Sequence, residues 1–165
     1  MPARLSWAVE RLALRGGERV LEVGCGPGVA VSLVAGRLTG GRITGIDRSA
    51  TAIRRAADRN AAHVAAGRVD LAQLDLAALE PTGPPFDTVF AVNVNLFWVR
   101  RPDAELHTVA RRLRPGGALH LVYEPPAVEQ LGPIRDAVSA ALGRCGYRTE
   151  AAREGSALLC VTGRP

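Results

Sequence analysis

Arg19-Val20-Leu21-Glu22-Val23-Gly24-Cys25-Gly26-Pro27-Gly28 decides how the rest of this chain reads. Val20 to Val23 is a short apolar strand that carries one acid, Glu22. It empties into glycines at alternate positions, Gly24, Gly26 and Gly28, and an apolar run with helical character follows from Val29. Residues without Cβ let the backbone take positive φ and approach a ligand closely, and the start of a helix offers free N–H donors. A glycine pattern alone is a weak signal, but here it has the strand–turn–helix context that gives it meaning.

Working outward, the chain alternates strand and helix. Residues from Pro2 to Arg15 place Leu5, Ala8, Val9 and Leu12 at helical spacing, and Gly16-Gly17 ends them. After the glycine turn a helix is expected over Val29–Leu38, then a strand from Arg42 that closes on Asp47. Ser49 is placed to cap a long alanine-rich helix reaching about Ala66. A third strand from Val69 ends at Asp75, a fourth covers Phe86–Val94, and a helix follows from Pro102 to Leu113. Arg114-Pro115-Gly116-Gly117 terminates that helix and a fifth strand, Ala118–Tyr123, follows. A helix then reaches Cys145, with Gly132-Pro133 near its start. The end reads as a hairpin, Tyr147–Ala152 and Ala157–Thr162, turning at Glu154-Gly155. Strands and helices in this alternation, with short connections, predict an α/β fold. Its sheet is mostly parallel, with helices on both faces and an antiparallel strand near one edge.

The 165 residues fit a single domain, long enough to bury roughly 70% of the unfolded surface. The expected organisation is an N-terminal helix over residues 1–17 and a Rossmann-like core over 18–165. No apolar run approaches the ~20 residues a membrane span needs, and the N-terminus lacks the apolar core of a signal peptide. The expectation is a cytoplasmic protein. All 21 basic residues are arginine, and the net charge is +5. They are scattered singly and in pairs, which reads as a solvated helical surface in preference to a nucleic-acid footprint. Cys25, Cys145 and Cys160 lack metal-ligand spacing and are expected as reduced thiols, with no metal site implied.

In a parallel α/β sheet, ligands bind beyond the carboxyl ends of the strands. Those ends carry the glycine turn, Asp47, Asp75, Asn93 to Asn95, and Tyr123-Glu124. Either aspartate alone reads as a loop cap; the two together, each at a strand end beside a glycine turn, read as ligand groups. Asp47 lies 19 residues after Gly28, the place of a carboxylate that accepts from ribose hydroxyls. The turn holds no Lys or Arg and no Gly-Lys-Ser/Thr, which excludes a P-loop and argues against a polyphosphate. Its glycine spacing also departs from the dinucleotide fingerprint.

These segments closely resemble the class I S-adenosylmethionine-dependent methyltransferase family. Val20–Gly28 matches its first motif, Gly45-Ile46-Asp47-Arg48-Ser49 its second, and Asp75 its adenine-contacting acid. Phe86-Asp87-Thr88-Val89-Phe90 and Leu113-Arg114-Pro115-Gly116-Gly117 match the fourth- and fifth-strand signatures. The resemblance covers nearly the whole chain. It implies a seven-stranded sheet in the order 3-2-1-4-5-7-6 with S-adenosyl-L-methionine as cofactor. It further implies that Glu22 and the backbone of Gly24, Cys25, Gly26 and Gly28 hold the methionine part. Asp47 with Arg48 would serve the ribose, Asp75 with Leu76 the adenine, and Asn93 completes the expected cofactor set.

For the acceptor the residues say less. Asn93-Val94-Asn95-Leu96-Phe97-Trp98 lacks the Asn/Asp-Pro-Pro-Tyr/Phe signature of base amino-group methylation. Phe97 and Trp98 read equally as packing or as an acceptor pocket. Glu124, Tyr123 and Asn95 are the candidates for acceptor contact or proton removal, while His63, His107 and His120 are expected to be structural. A small-molecule acceptor is favoured over RNA or protein. A cofactor-binding protein without transfer activity stays open, and a dinucleotide oxidoreductase is a distant rival. With no insertion large enough to form a lid after the fifth strand, both a monomer and a homodimer that completes the site stay open.

Overall fold

A computed structural model describes residues 3–165; Met1 and Pro2, the start of the expected first helix, lie outside them. Helix α1 is Ala3–Arg11, shorter than its apolar pattern suggested. Beyond it come β1 (Arg19–Val23), α2 (Val29–Ala35), β2 (Arg42–Asp47), α3 (Ala50–Arg59), α4 (Ala61–Ala65) and β3 (Val69–Gln73). The second half contains β4 (Phe86–Val92), α5 (Leu96–Val99), α6 (Asp103–Arg112), β5 (Leu113–Tyr123), α7 (Leu131–Arg144), β6 (Arg148–Glu154) and β7 (Leu158–Arg164). The strands form one sheet in the order β3-β2-β1-β4-β5-β7-β6. Neighbours from β3 to β5 are parallel, and β7 runs antiparallel to both β5 and β6. This is the sheet order the family resemblance implied.

Period-two alternation sends each strand's side chains to two cores. Leu21, Val23, Val89, Ala91, Leu119 and Leu121 pack on one face with residues of α6 and α7. Val20, Ile43 and Phe90 pack on the other with Val9 of α1 and Val31 and Val34 of α2. By the same alternation Glu22 shares the face of Val20, so its carboxyl enters an otherwise apolar layer, only 3% exposed. No helix among the described residues is long and apolar enough to cross a membrane.

Two local expectations need correction. The long alanine-rich helix does start at Ser49, whose hydroxyl accepts from Ala52 N at 3.2 Å. It does not run unbroken to Ala66: Asn60, with φ −104°, separates α3 from α4. The buried Asn60 side chain explains the break, because it donates to Gly28 O at 3.0 Å and Ala56 O at 2.9 Å. Polar side chains that bond local carbonyls compete with helix continuation. Arg114 to Gly117 is likewise not a plain stop before the fifth strand. It is an irregularity within β5, where pairing jumps from Phe86↔Leu113 to Thr88↔Ala118. A Cβ at Gly117 would stand 2.9 Å from Asp87 O, so close backbone approach demands glycine there. Asp87 anchors the same corner, accepting from Arg19 N at 2.8 Å and pairing with Arg114.

Candidate active site

Three strand ends, β1, β2 and β4, meet at the glycine turn. Gly24 N and Cys25 N both donate to Ile46 O, at 2.8 and 3.0 Å, which locks the turn to the end of β2. Gly26 N donates to Asp47 Oδ2 at 2.9 Å, and Ser49 N donates to Asp47 Oδ1 at 2.9 Å. Asp47 therefore braces the turn and the start of α3 at once, with lone pairs left for a ligand.

The glycines are required for different reasons. Gly26 has φ +52°, and a Cβ there would meet nothing within 4 Å. Its constraint is backbone conformation, and the space before it is open to a ligand. At Gly28 a Cβ would stand 2.7 Å from Asn60 Nδ2 and 2.8 Å from Ala56 Cβ. That glycine lets α3 pack onto the turn, and Asn60 rivets it. Ser32 donates to Asn60 Oδ1 at 2.7 Å and completes the rivet. Asn60 is thus a positioning residue that sequence reasoning missed; its only signal was a polar residue amid alanines.

Glu22 lies under this turn with Oε2 buried and without a hydrogen-bond partner. Burial above all, and then the Asp47 charge, push its pKa well above the usual carboxylate range, against a pull from the Val31 N–H. A buried, unpartnered carboxyl oxygen is costly and is relieved by a donor or cation arriving beside it. Burial, and then the charges of Glu22 and Asp47, raise the Cys25 thiol to about 12. Cys25 is therefore an inert thiol.

At the next strand end, Asp75 Oδ1 accepts from Ala77 N at 3.0 Å and caps a short turn over Leu76–Ala78. The cap accounts for one of its oxygens. Its Oδ2 faces Arg48 at 4.0 Å, with the arginine 81% exposed, a pair too solvated to hold much structure. Leu76 turns its side chain into the core, so only its backbone faces outward chemistry. Leu74 N donates to Asp47 O at 3.0 Å, which brings the two aspartate loops side by side.

Beyond β4 the chain turns at Asn93, which has φ +55°. Left-handed backbone at a non-glycine residue is uncommon, with asparagine among the residues most tolerant of it. Asn93 N donates to Val122 O at 2.8 Å, and its Oδ1 accepts from Glu124 N at 2.8 Å, so the ends of β4 and β5 are tied together. The next residue, Val94, packs against the turn: its Cγ2 would lie 2.7 Å from a Cβ at Gly24.

Against this segment opens a cavity of about 430 Å³, whose lining includes Asn93, Asn95, Trp98, Glu124, Pro125 and Ile134. The expected loop after β4 contains the short helix α5, which divides the two aromatic residues between the readings open to them. Phe97 is buried in the core, and Trp98 lines the cavity with its indole Nε1 buried and unpartnered. Tyr123 is 3% exposed and donates to Val94 O at 3.4 Å. Burial, with Cys160 adding to it, raises its pKa, so it stays a neutral hydroxyl. Glu124 is half-buried at the rim and pairs with Arg4 of α1 at 3.0 Å. Both side chains are about one-third exposed, so the pair is worth on the order of 0–1 kcal/mol. Arg4 had no signal in the sequence, since its partner lies 120 residues away.

The histidines stand apart from this site. His120 is buried in β5 with Nδ1 at 3.1 Å from Thr162 Oγ1. Burial, and then Arg164 and Arg11, lower its pKa to about 4, so it is neutral at physiological pH. His63 sits on α4, and His107 is exposed on α6.

A family model described as a methyltransferase domain matches residues 20–117. Among solved structures, the chain is similar to a SAM-dependent methyltransferase from Aquifex aeolicus. That match has 17% identity and a TM-score of 0.82, and it covers 99% of this chain and 93% of that one. It is also similar to the (4+2) cyclase SpnF, at 22% identity and a TM-score of 0.76, over 97% of this chain and 79% of that one. A third similarity is to precorrin-6y C5,15-methyltransferase from Geobacter metallireducens, at 19% identity and a TM-score of 0.72, over 97% and 86% of the two chains. Identities this low speak for the fold. A search of curated proteins gives no match.

Proposed function

The chain belongs to the methyltransferase domain family, and from that premise we propose that it carries a methyl group from S-adenosylmethionine to a small-molecule acceptor. The acceptor would sit in the cavity beside Asn93, Trp98 and Glu124. One observation carries this reading: the glycine turn and the cavity share a wall. Val94 packs on Gly24, while its neighbours Asn93 and Asn95 line the cavity. A donor on the turn would therefore lie next to an acceptor in the cavity, with the Asn93–Asn95 segment along one side of the space they share.

The residues present fit the cofactor. Gly26 opens onto free space, and the unpartnered Oε2 of Glu22 lies beneath the turn, ready for a donor or a positive charge. Asp47 keeps acceptor capacity for ribose hydroxyls, and the Asp75 loop with the Leu76 backbone stands beside it for the adenine; Arg48 would border both. Bound there, S-adenosylmethionine would supply an electrophilic methyl group on a sulfonium. The chain's own part is to hold acceptor and donor in line and to exclude water. Positioning of this kind contributes several kcal/mol, up to about 7–11 in the best-oriented cases. A cavity of about 430 Å³ is of the size that holds a small molecule.

A second reading has one observation behind it: a protein of the same fold is described as a cyclase. Fold alone does not decide chemistry. The test is incubation with methyl-labelled S-adenosylmethionine and mixtures of small acceptors. Label transferred to an acceptor, with S-adenosylhomocysteine formed in equal amount, supports the proposal. Tight cofactor binding with no S-adenosylhomocysteine formed across the mixtures favours the second reading.

A further inference from the structure

We infer that the acceptor carries a cationic amine, which the Glu124 carboxylate anchors while the acceptor body lies against Trp98. The inference rests on the transferase reading above and narrows its substrate class.

Charge gives the argument. Among the described residues lining the cavity, Glu124 is the only carboxylate and none is a cation; the rest are amides, prolines, aromatics and Ile134. Arg4, which is not part of the lining, offsets that carboxylate while their pair stands, and the cavity is anionic once the pair opens. An acceptor bearing a carboxylate or phosphate would meet like charge there. A neutral hydroxyl would leave the carboxylate no better served than by water. An ammonium group would make a charge-assisted hydrogen bond, the stronger kind.

A resident cation already marks the place. Arg4 reaches from α1 to Glu124 Oε2 at 3.0 Å, so a nitrogen cation is accommodated at this carboxylate. Both side chains are about one-third exposed, which makes the pair easy to exchange for a ligand's ammonium. Glu124 is also held in place: its backbone N–H donates to Asn93 Oδ1 at 2.8 Å. The anchor is thus tied to the segment whose next residue, Val94, packs on the glycine turn.

Trp98 supplies the second contact. Its ring offers a face that attracts cations and flat apolar groups. The acceptor class is therefore a small amine with a flat or apolar body.

The test uses the full chain saturated with S-adenosylhomocysteine and three probes that share one body: phenethylamine, 2-phenylethanol and phenylacetate. Calorimetry should show phenethylamine binding tighter than the other two by about tenfold or more, the scale of a charge-assisted bond. Glu124→Gln should abolish that preference. Arg4→Met should tighten phenethylamine binding, because the carboxylate loses its resident counter-ion. Equal binding of the three probes, preference for phenylacetate, no binding of the amine, or an amine preference that survives Glu124→Gln would each overturn the inference. Should Glu124→Gln fail to fold, the wild-type probe comparison and Arg4→Met decide the matter. S-adenosylhomocysteine binding to the wild type is measured first. Its absence would sink the transferase reading itself, whereas its presence without an amine preference would sink only this inference.

Discussion

Replacing Asn60 should loosen the glycine turn from a distance, and the structure allows the cost to be worked out. The side chain donates to Gly28 O at 3.0 Å and Ala56 O at 2.9 Å, and accepts from Ser32 Oγ at 2.7 Å. Asn60→Ala removes all three bonds but strands none of the partners. Gly28 O still accepts from Ser32 N at 3.1 Å, and Ala56 O from the residue 60 amide at 3.0 Å. The Ser32 hydroxyl can turn to Gly28 O at 3.2 Å. The loss is therefore the net value of three hydrogen bonds, about 0.5–1.5 kcal/mol each. A destabilisation of about 1.5–4.5 kcal/mol follows, which for a chain of this length lowers Tm by roughly 3–18 °C. Asn60→Asp should be worse at neutral pH, because it sets a carboxylate against two carbonyl oxygens. Its folded pKa would be raised above the unfolded value of about 3.9, so stability should recover as pH falls and the carboxyl protonates. Urea denaturation across pH reads the stabilities, and calorimetry reads S-adenosylhomocysteine affinity, which should fall in both variants. An alanine variant within about 0.5 kcal/mol of wild type, or an aspartate variant as stable as alanine at pH 7, would refute the rivet.

Asp47→Ala removes an acceptor that braces Gly26 and Ser49; affinity for S-adenosylhomocysteine should drop by about 10- to 100-fold, the loss of a charged hydrogen bond, and calorimetry would show it. Gly28→Ala should cost about 1–3 kcal/mol, because its Cβ runs into Asn60 and Ala56, and Gly28→Ala combined with Asn60→Ala should be less than additive in denaturant titrations. Phe90→Ala, in the fully buried centre of the sheet, should cost about 3–5 kcal/mol, measured the same way. His120 is held neutral with a pKa near 4 against 6.5 when exposed. The unfolded chain then binds more protons between those values, so stability should decline as pH falls through that window, by on the order of 3 kcal/mol in full. His120→Gln should flatten that part of the pH–stability curve.

The sequence by itself determined the alternation of strand and helix and, through the family resemblance, the strand order, and it marked out the glycine turn and Asp47 at the strand ends. These are local properties. Val20–Gly28 and Asp47 announce themselves because a backbone at positive φ needs glycine and because a parallel strand has one end where ligands lie. Residue types and short spacings suffice to state both.

Only the tertiary structure decided why each glycine is there, and it decided which residues line the cavity beyond β4. Gly26 and Gly28 look alike in the sequence, yet one faces open space and the other is pressed by Asn60 from 32 residues away. Phe97 and Trp98 are adjacent with equal claims, and a single helical turn sends one into the core and the other to the cavity wall. Tyr123 and Glu124 likewise share a strand end, but burial holds the tyrosine neutral while the glutamate reaches the rim. The cavity itself is assembled from the segments that follow β4 and β5 together with α5 and α7, and Arg4 reaches Glu124 from the other end of the chain. Burial and charge pairing depend on which segments the sheet order brings together, and no local pattern encodes that.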